Sequence, residues 1–519
     1  LAVLGGTIVY PTGRLVLMAL ADWRWDAVLS HSGLVAAGNT VFLSFMSVLT
    51  SGIVGTSLAY LLTRFAFPGR RWLAGLAFLP LALPPLVGTV AFYFLIGRDG
   101  FLPVFLEKVF GLAGWQPRGF VAILLIHTYS FYVFFYAAVS AALVGMDRAL
   151  IEAARTLGAS PQRCFLRVVL PMLKPALLNA SLLTFMSSSA SFSAPLFFGF
   201  DFPVLTVRIY EETSNFREAE AITLTMVLAC VSLLGLLVFR SGRTYVAGAS
   251  KGPPAPIRSR PGRWLVAGLG FACLGVLVVP HLTILWLSFV DHRRWFGELI
   301  PTSFTIANYV EIFRDPRNFT PILNSLWMSG LAAGAILPVG MAVGYFIGRR
   351  RPGSRWVSLL VMIPWALPGT VIAMNLLAAF NDPWLPRAIT LGLLPMAYFV
   401  RNVPLFARLA TAAIELFDAE LIEAGRTLGA TPARCFFRIT APLLAPALIA
   451  STALVFAMSL GEFVASVLLY KPANIPISVQ INMQVRGSGI GSAFAYSVFL
   501  MIIVTATFLA AKRFCSRLF

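Results

Sequence analysis

Apolar runs about twenty residues long recur from one end of the chain to the other, at roughly 1–20, 38–62, 73–96, 120–145, 176–199, 221–239, 264–289, 323–347, 356–380, 390–413, 447–470 and 493–511. No water-soluble fold can hide that pattern. Of the 519 residues 58% are hydrophobic and only 12% are charged, too few polar groups to coat an exterior. The natural solvent for such a chain is lipid, which about 20 apolar residues cross as one helix. Inside lipid the backbone must satisfy its own hydrogen bonds, so the spans are expected to be helices. The expected fold is an all-α polytopic membrane protein of about twelve transmembrane helices. Residues 1–20 read as the first span rather than a signal peptide, because no small-residue cleavage site closes them. Prolines within runs (Pro80, Pro84, Pro85, Pro364, Pro368) are tolerable in a membrane helix.

The charges orient this map. If the first span leaves the cytoplasm, the inside segments hold 24 of the 40 Lys and Arg residues and six acids, among them Arg64, Arg70, Arg71, Arg349–Arg351, Lys512 and Arg513. The outside segments and the remaining acid-bearing positions hold 14 basic residues and the other 15 acids, and Arg401 and Arg408 fall in or at the end of a span. Basic loops stay inside, so both termini are expected in the cytoplasm. The net charge of +19 then belongs to orientation and lipid headgroups, not to nucleic acid. The five cysteines are scattered and only four histidines are present, which gives neither a metal site nor a disulfide framework.

An internal repeat divides the chain. Residues 152–167 read EAARTLGASPQRCFLR and residues 423–438 read EAGRTLGATPARCFFR, identical at twelve of sixteen positions with an offset of 271. FLPLALP at 78–84 and MIPWALP at 362–368 echo each other more weakly, as do GNTVFLSF at 38–45 and LNSLWMSG at 323–330. Six spans separate equivalent points, so the copies run in parallel about a pseudo-two-fold axis along the membrane normal. Residues 1–239 and 264–519 are expected as two halves, joined by a Gly-, Pro-, Ser- and Arg-rich cytoplasmic linker at 240–263.

Each repeated tract reads as helix, turn, helix. Asp147 and Asp418 can favour the positive end of a first helix. Gly158 and Gly429 stop it. Ser160-Pro161 and Thr431-Pro432 then start a second helix as cap and first helical residue. Small residues (Ala153, Ala154, Ala424, Gly425) allow another surface to come close, and the neighbouring arginines offer charged contacts. Local chemistry fits a dock for a cytoplasmic partner and an amphipathic helix on the membrane surface equally well.

The tract resembles the EAA loop of binding-protein-dependent ABC importer permeases, whose pattern is EAA, three residues, Gly and a later I-x-LP. Glu152, Ala153, Ala154 and Gly158 match it, and VVLP at 168–171 is close. Glu423, Ala424 and Gly429 match in the second copy, where Gly425 replaces an alanine and ITAP at 439–442 loses the leucine. The resemblance covers nearly the whole chain. It implies the type I importer permease fold, two parallel six-helix repeats, and a bacterial cytoplasmic membrane location. It also implies two copies of a cytoplasmic ATPase, one held at each of Glu152–Gly158 and Glu423–Gly429, and an extracytoplasmic substrate-binding protein. The chain has no GxxxxGK[ST] loop, GASKGPP at 248–254 being the nearest stretch, so it is not expected to be an enzyme. ATP and Mg would sit on the partner ATPase, and no cofactor on this chain.

Polar groups inside spans are functional candidates. Arg401 in YFVRNVPLF and Glu462 in MSLGEFVAS either line the cavity or pair with each other, or Arg401 snorkels while Glu462 lies near the outer interface. The corresponding stretch of the first half presents hydroxyls: Ser187, Ser188, Ser189, Ser191 and Ser193. Fused double-length permeases of this pattern resemble the ferric-iron importers, with the thiamine and aminoethylphosphonate importers as alternatives. A secondary transporter would need ion-coupling carboxylates deep in the spans, for which only Glu462 offers itself.

Overall fold

The computed structural model describes residues 2–517, apart from 99, 113, 147, 240–254, 257–259, 293–300, 382–385, 418, 419 and 488. Ten described helices are long and apolar enough to cross a membrane, and eleven if one bent pair counts as a span. The expected count of twelve differs by the run at 390–413. Its helix, Arg387–Glu415, has 29 residues and would reach roughly 43 Å. It carries Arg401, Asn402 and Arg408 and is not among those ten or eleven. It nonetheless packs along Pro316–Gly348 as Gly119–Val144 packs along His31–Arg64.

Small residues make that packing close. The inner stripe of His31–Arg64 is Thr40, Ser44, Ser47, Ser51, Gly55 and Ala59, all buried. Thr40, Ser44 and Ser47 return their hydroxyls to the carbonyls four residues earlier (2.7 Å each), so they cost little in an apolar setting. In Pro316–Gly348 the stripe is Ser325, Ser329, Ala332, Ala333, Gly340 and Gly344.

Proline breaks two spans that the sequence suggests are continuous. In FLPLALPP, Leu83 is extended (φ −100°, ψ 110°) before Pro84, separating Arg70–Leu76 and a short 3-10 turn from Pro85–Ile96. In the echoing stretch Leu367 is extended before Pro368, and Ser354–Ala366 meets Gly369–Phe380 at 106°. The cause is the clash of a proline ring with helical backbone before it. The runs at 176–199 and 447–470 also differ from one continuous helix each. The long helices end at Ser189 and Leu460, and short helices Ser193–Phe198 and Val464–Leu469 come after a turn.

The first helix of each half packs on the other half. Ala2–Ala21 lies on Gly369–Phe380, where Asn375 donates to the Thr12 hydroxyl (3.1 Å). Arg260–Leu287 lies on Pro85–Ile96, and its Leu277 carbonyl accepts from Tyr129 (2.9 Å). One apolar core, including Val90, Phe192, Phe463 and Phe494, runs through both halves. Most of the expected linker lies outside the described residues. Its Ala255–Pro256 pairs in parallel with Phe65–Ala66.

Candidate functional sites

The repeated tracts form two matching elements. Helix Arg148–Thr156 ends in Gly158 at φ +79°, and Glu420–Thr427 ends in Gly429 at φ +80°, a backbone state that glycine takes without strain. In the first, Ala159 N–H donates to the Ala154 carbonyl (3.0 Å) and Gly158 N–H to Arg155 (2.9 Å). In the second, Ala430 donates to Gly425 (3.0 Å) and Gly429 to Arg426 (2.9 Å), so both ends are Schellman caps. Ser160 and Thr431 cap the next helical turn, each hydroxyl accepting from the N–H three residues on (3.3 Å). The expected roles of Asp147 and Asp418 lie outside the described residues.

Glu152, Ala153 and Gly158 are exposed, as are Glu423, Ala424 and Gly429. Ala154 is half-buried and Gly425 is buried. Before each glycine stands a leucine that its sequence context does not single out. Leu157 and Leu428 are each 88% exposed, apolar surface that helix and turn hold away from the body of the protein. The only signal in the sequence is that RTLG occurs in both copies.

The second site lies where the halves meet. Positions 192 and 463 are repeat equivalents, and their phenylalanines touch with ring centroids 5.7 Å apart. A residue meeting its own repeat equivalent marks the pseudo-two-fold axis, and both rings are buried. One residue before Phe463, Glu462 is drawn to helix Arg387–Glu415: its Oε2 lies 2.6 Å from Arg401 Nε. Its Oε1 accepts from the Ala465 N–H (3.1 Å), satisfying the start of Val464–Leu469. Tyr398 bonds Ser466 (2.8 Å), and Asn402 donates to Ser459 (3.1 Å). Residues 398, 401 and 402 share one helix face, so a single face grips the turn.

One residue before Phe192 stands Ser191, the repeat equivalent of Glu462. Its hydroxyl meets His127 Nε2 (2.8 Å), and His127 occupies the position equivalent to Tyr398. The other ring nitrogen of His127 faces Ser47 (2.9 Å) and Ser188 (3.1 Å). Both turns are therefore tied to the same helix of their own half, one by neutral groups and one by an ion pair. Of the candidate serines, Ser191 and Ser188 join this network. Ser189 faces Ser232 (3.4 Å), and Ser187 is half-buried on the same helix. His127, Tyr398, Asn402 and Ser459 escape a reading of the sequence, since a lone polar residue in an apolar helix carries no sign of its partner. Among the described residues no cluster of His, Cys, Asp and Glu could hold a metal ion.

The chain is 29% identical over 521 residues to the "Probable ABC transporter permease protein y4fN" of Sinorhizobium fredii, covering 96% of this chain and 91% of that protein. It is 27% identical to the Ferric transport system permease protein FbpB of Actinobacillus pleuropneumoniae, covering 97% of this chain and 75% of the relative. A bacterial alginate ABC transporter crystallised with an alginate-bound periplasmic protein aligns at TM-score 0.40 and 20% identity, over 50% of this chain and 96% of that one. The model of the family described as "Binding-protein-dependent transport system inner membrane component" matches twice, at residues 51–249 and 336–519. The chain therefore belongs to this family and is the membrane permease of an ABC importer.

Proposed function

We propose that this permease imports ferric iron, delivered by an extracytoplasmic binding protein and driven by two copies of a cytoplasmic ATPase. Both termini and both repeated tracts face the cytoplasm in this reading, which rests on the distribution of Lys and Arg. The observation that carries it is the pair of matching tracts, each a short helix stopped by a Schellman cap with a leucine 88% exposed beside it. Two copies of one partner need the same surface twice, and these tracts supply it. Glu152–Gly158 and Glu423–Gly429 each seat one ATPase, with Leu157 and Leu428 as apolar anchors. ATP and Mg reside on those ATPases. Their closure moves both tracts together and switches a central cavity between outward and inward access across the Phe192–Phe463 contact. Relatives named as ferric transport permeases support the choice of iron.

The test is the double variant E152A/E423A, reconstituted with the ATPase and the binding protein. Iron uptake is expected to fall by about a hundredfold or more, the scale of losing over 2 kcal/mol of docking energy. Full uptake with tight ATPase binding would remove the docking role.

A further inference from the structure

The ion pair beside the axis is committed unequally. Glu462 is 7% exposed, and both of its oxygens are taken, by Arg401 and by the Ala465 N–H. Arg401 is 29% exposed and makes its closest approach to Glu462 through Nε. Nη1 and Nη2 have no hydrogen-bond partner among the described residues. A guanidinium presents five N–H donors in a planar fork suited to oxyanions, so most of this fork is unused.

The surroundings add to the positive side. Helix Gly369–Phe380 begins here with its N–H groups unpaired by helix geometry. A Cβ at Gly369 would lie 3.3 Å from both Arg401 Nη1 and Glu462 Oε1, so the glycine keeps this end open to the pair. Thr370, in the same first turn, is fully buried, and its hydroxyl has no partner among the described residues. Two turns along the Arg401 face of its helix stands Arg408, over the Trp365 ring at 5.5 Å. The first half carries Ser130 and Ala137 at the positions equivalent to 401 and 408.

We infer that Arg401, with the opening turn of Gly369–Phe380, is a cargo-binding site for an oxyanion group, and that Glu462 is an internal stand-in which cargo displaces. This deepens the permease reading and rests on it. The cargo presents carboxylate, phosphate or sulfate oxygens to the protein, either as a free oxyanion or as the anionic shell around a metal ion. The guanidinium exchanges one carboxylate for another anion, and the binding of cargo must offset the cost of leaving the Glu462 carboxylate without its counter-charge. Meanwhile Glu462 loses the contact that ties its turn to Arg401, one residue from the Phe192–Phe463 contact.

The test uses the purified full-length chain in detergent, with direct binding of sulfate, citrate and iron(III) citrate at matched ionic strength. Glu462→Gln keeps the acceptor for Ala465 and removes the competing charge. It is expected to bind one of these probes about tenfold more tightly or better, the gain from freeing an arginine occupied nine-tenths of the time. The variant R401M/E462Q, which strands no charge, is expected to lose that binding. Tightening for sulfate or citrate alone assigns a free oxyanion. Tightening confined to iron(III) citrate assigns a metal-bound shell. Equal binding by wild type and E462Q, no binding by E462Q, or full binding by R401M/E462Q would each overturn the site. Binding is read on the chain alone, so this result stands apart from E152A/E423A, which tests the permease reading through ATPase docking.

Discussion

The two repeated tracts and the two axial turns are equivalent in position but not in how far they have diverged. The tracts agree in twelve of sixteen residues, in cap geometry and in the exposure of their leucines. At the axis, an imidazole facing hydroxyls in one half stands opposite a guanidinium–carboxylate pair in the other. A surface that meets identical partners must stay identical. A cargo site on the axis, as proposed, meets one cargo at a time, which has no reason to be two-fold symmetric, so its two sides are free to differ. The comparison breaks if the two axial ties prove energetically alike, or if the two tracts prove unlike.

The largest effect is expected at the ionic tie. Removing Arg401 leaves the buried Glu462 carboxylate without its counter-charge, a loss of about 3–5 kcal/mol for buried pairs and at the lower end here, where the arginine is partly exposed. R401M should lose about 3 kcal/mol in equilibrium unfolding in mixed micelles, and R401M/E462Q should recover most of it. A double variant no more stable than R401M would show that the pair does not couple.

The neutral tie should be weaker. His127→Leu removes the only hydrogen-bond partner of the Ser191 hydroxyl among the described residues, while Ser47 keeps its bond to the Leu43 carbonyl. The expected loss is about 1–3 kcal/mol. A loss equal to that of R401M would remove the energetic contrast between the halves.

At the tracts the two copies should respond alike. Alanine at Gly158 or Gly429 must enter the left-handed region at φ near +80°, at about 1–2 kcal/mol. G158A and G429A should weaken ATPase binding by factors that agree within about threefold, the spread expected of equivalent sites. A much larger effect on one side would mean that the partner copies are held differently.

These contrasts also mark what sequence can carry. The tracts are legible because glycine, proline and cap residues act on their own neighbours, and because the pattern appears twice. The breaks at Leu83 and Leu367 are legible in the same local way, although prolines within apolar runs read as tolerated residues in whole spans. The axial ties are not legible in full. Arg401 and Glu462 stand out as charges in apolar runs and suggest a pair, but 61 positions apart they fit snorkelling equally well. His127 stands out less, because a single imidazole in a helix gives no direction in which to look.

The smallest effect tests whether the tracts are alike beneath their surface as well as on it. Gly425 departs from the alanine at 154, and Ile439 departs from Val168 at the position paired with it by the repeat. The departures compensate. A Cβ at Gly425 would lie 2.8 Å from Ile439 Cδ1 and 3.3 Å from Cys435 Sγ. In the first half Ala154 and the shorter Val168 pack on one cluster with Cys164. One methyl has moved across the contact, and packing volume is kept. G425A gains helix propensity of about 1 kcal/mol over glycine and loses a similar amount displacing the Ile439 side chain, so alone it should change stability by less than about 1 kcal/mol. G425A/I439V should be more stable than the sum of the single changes by about 0.5–1.5 kcal/mol, and A154G/V168I should show coupling of similar size. Additivity in both cycles would mean that the two tracts share a surface without sharing the packing that supports it.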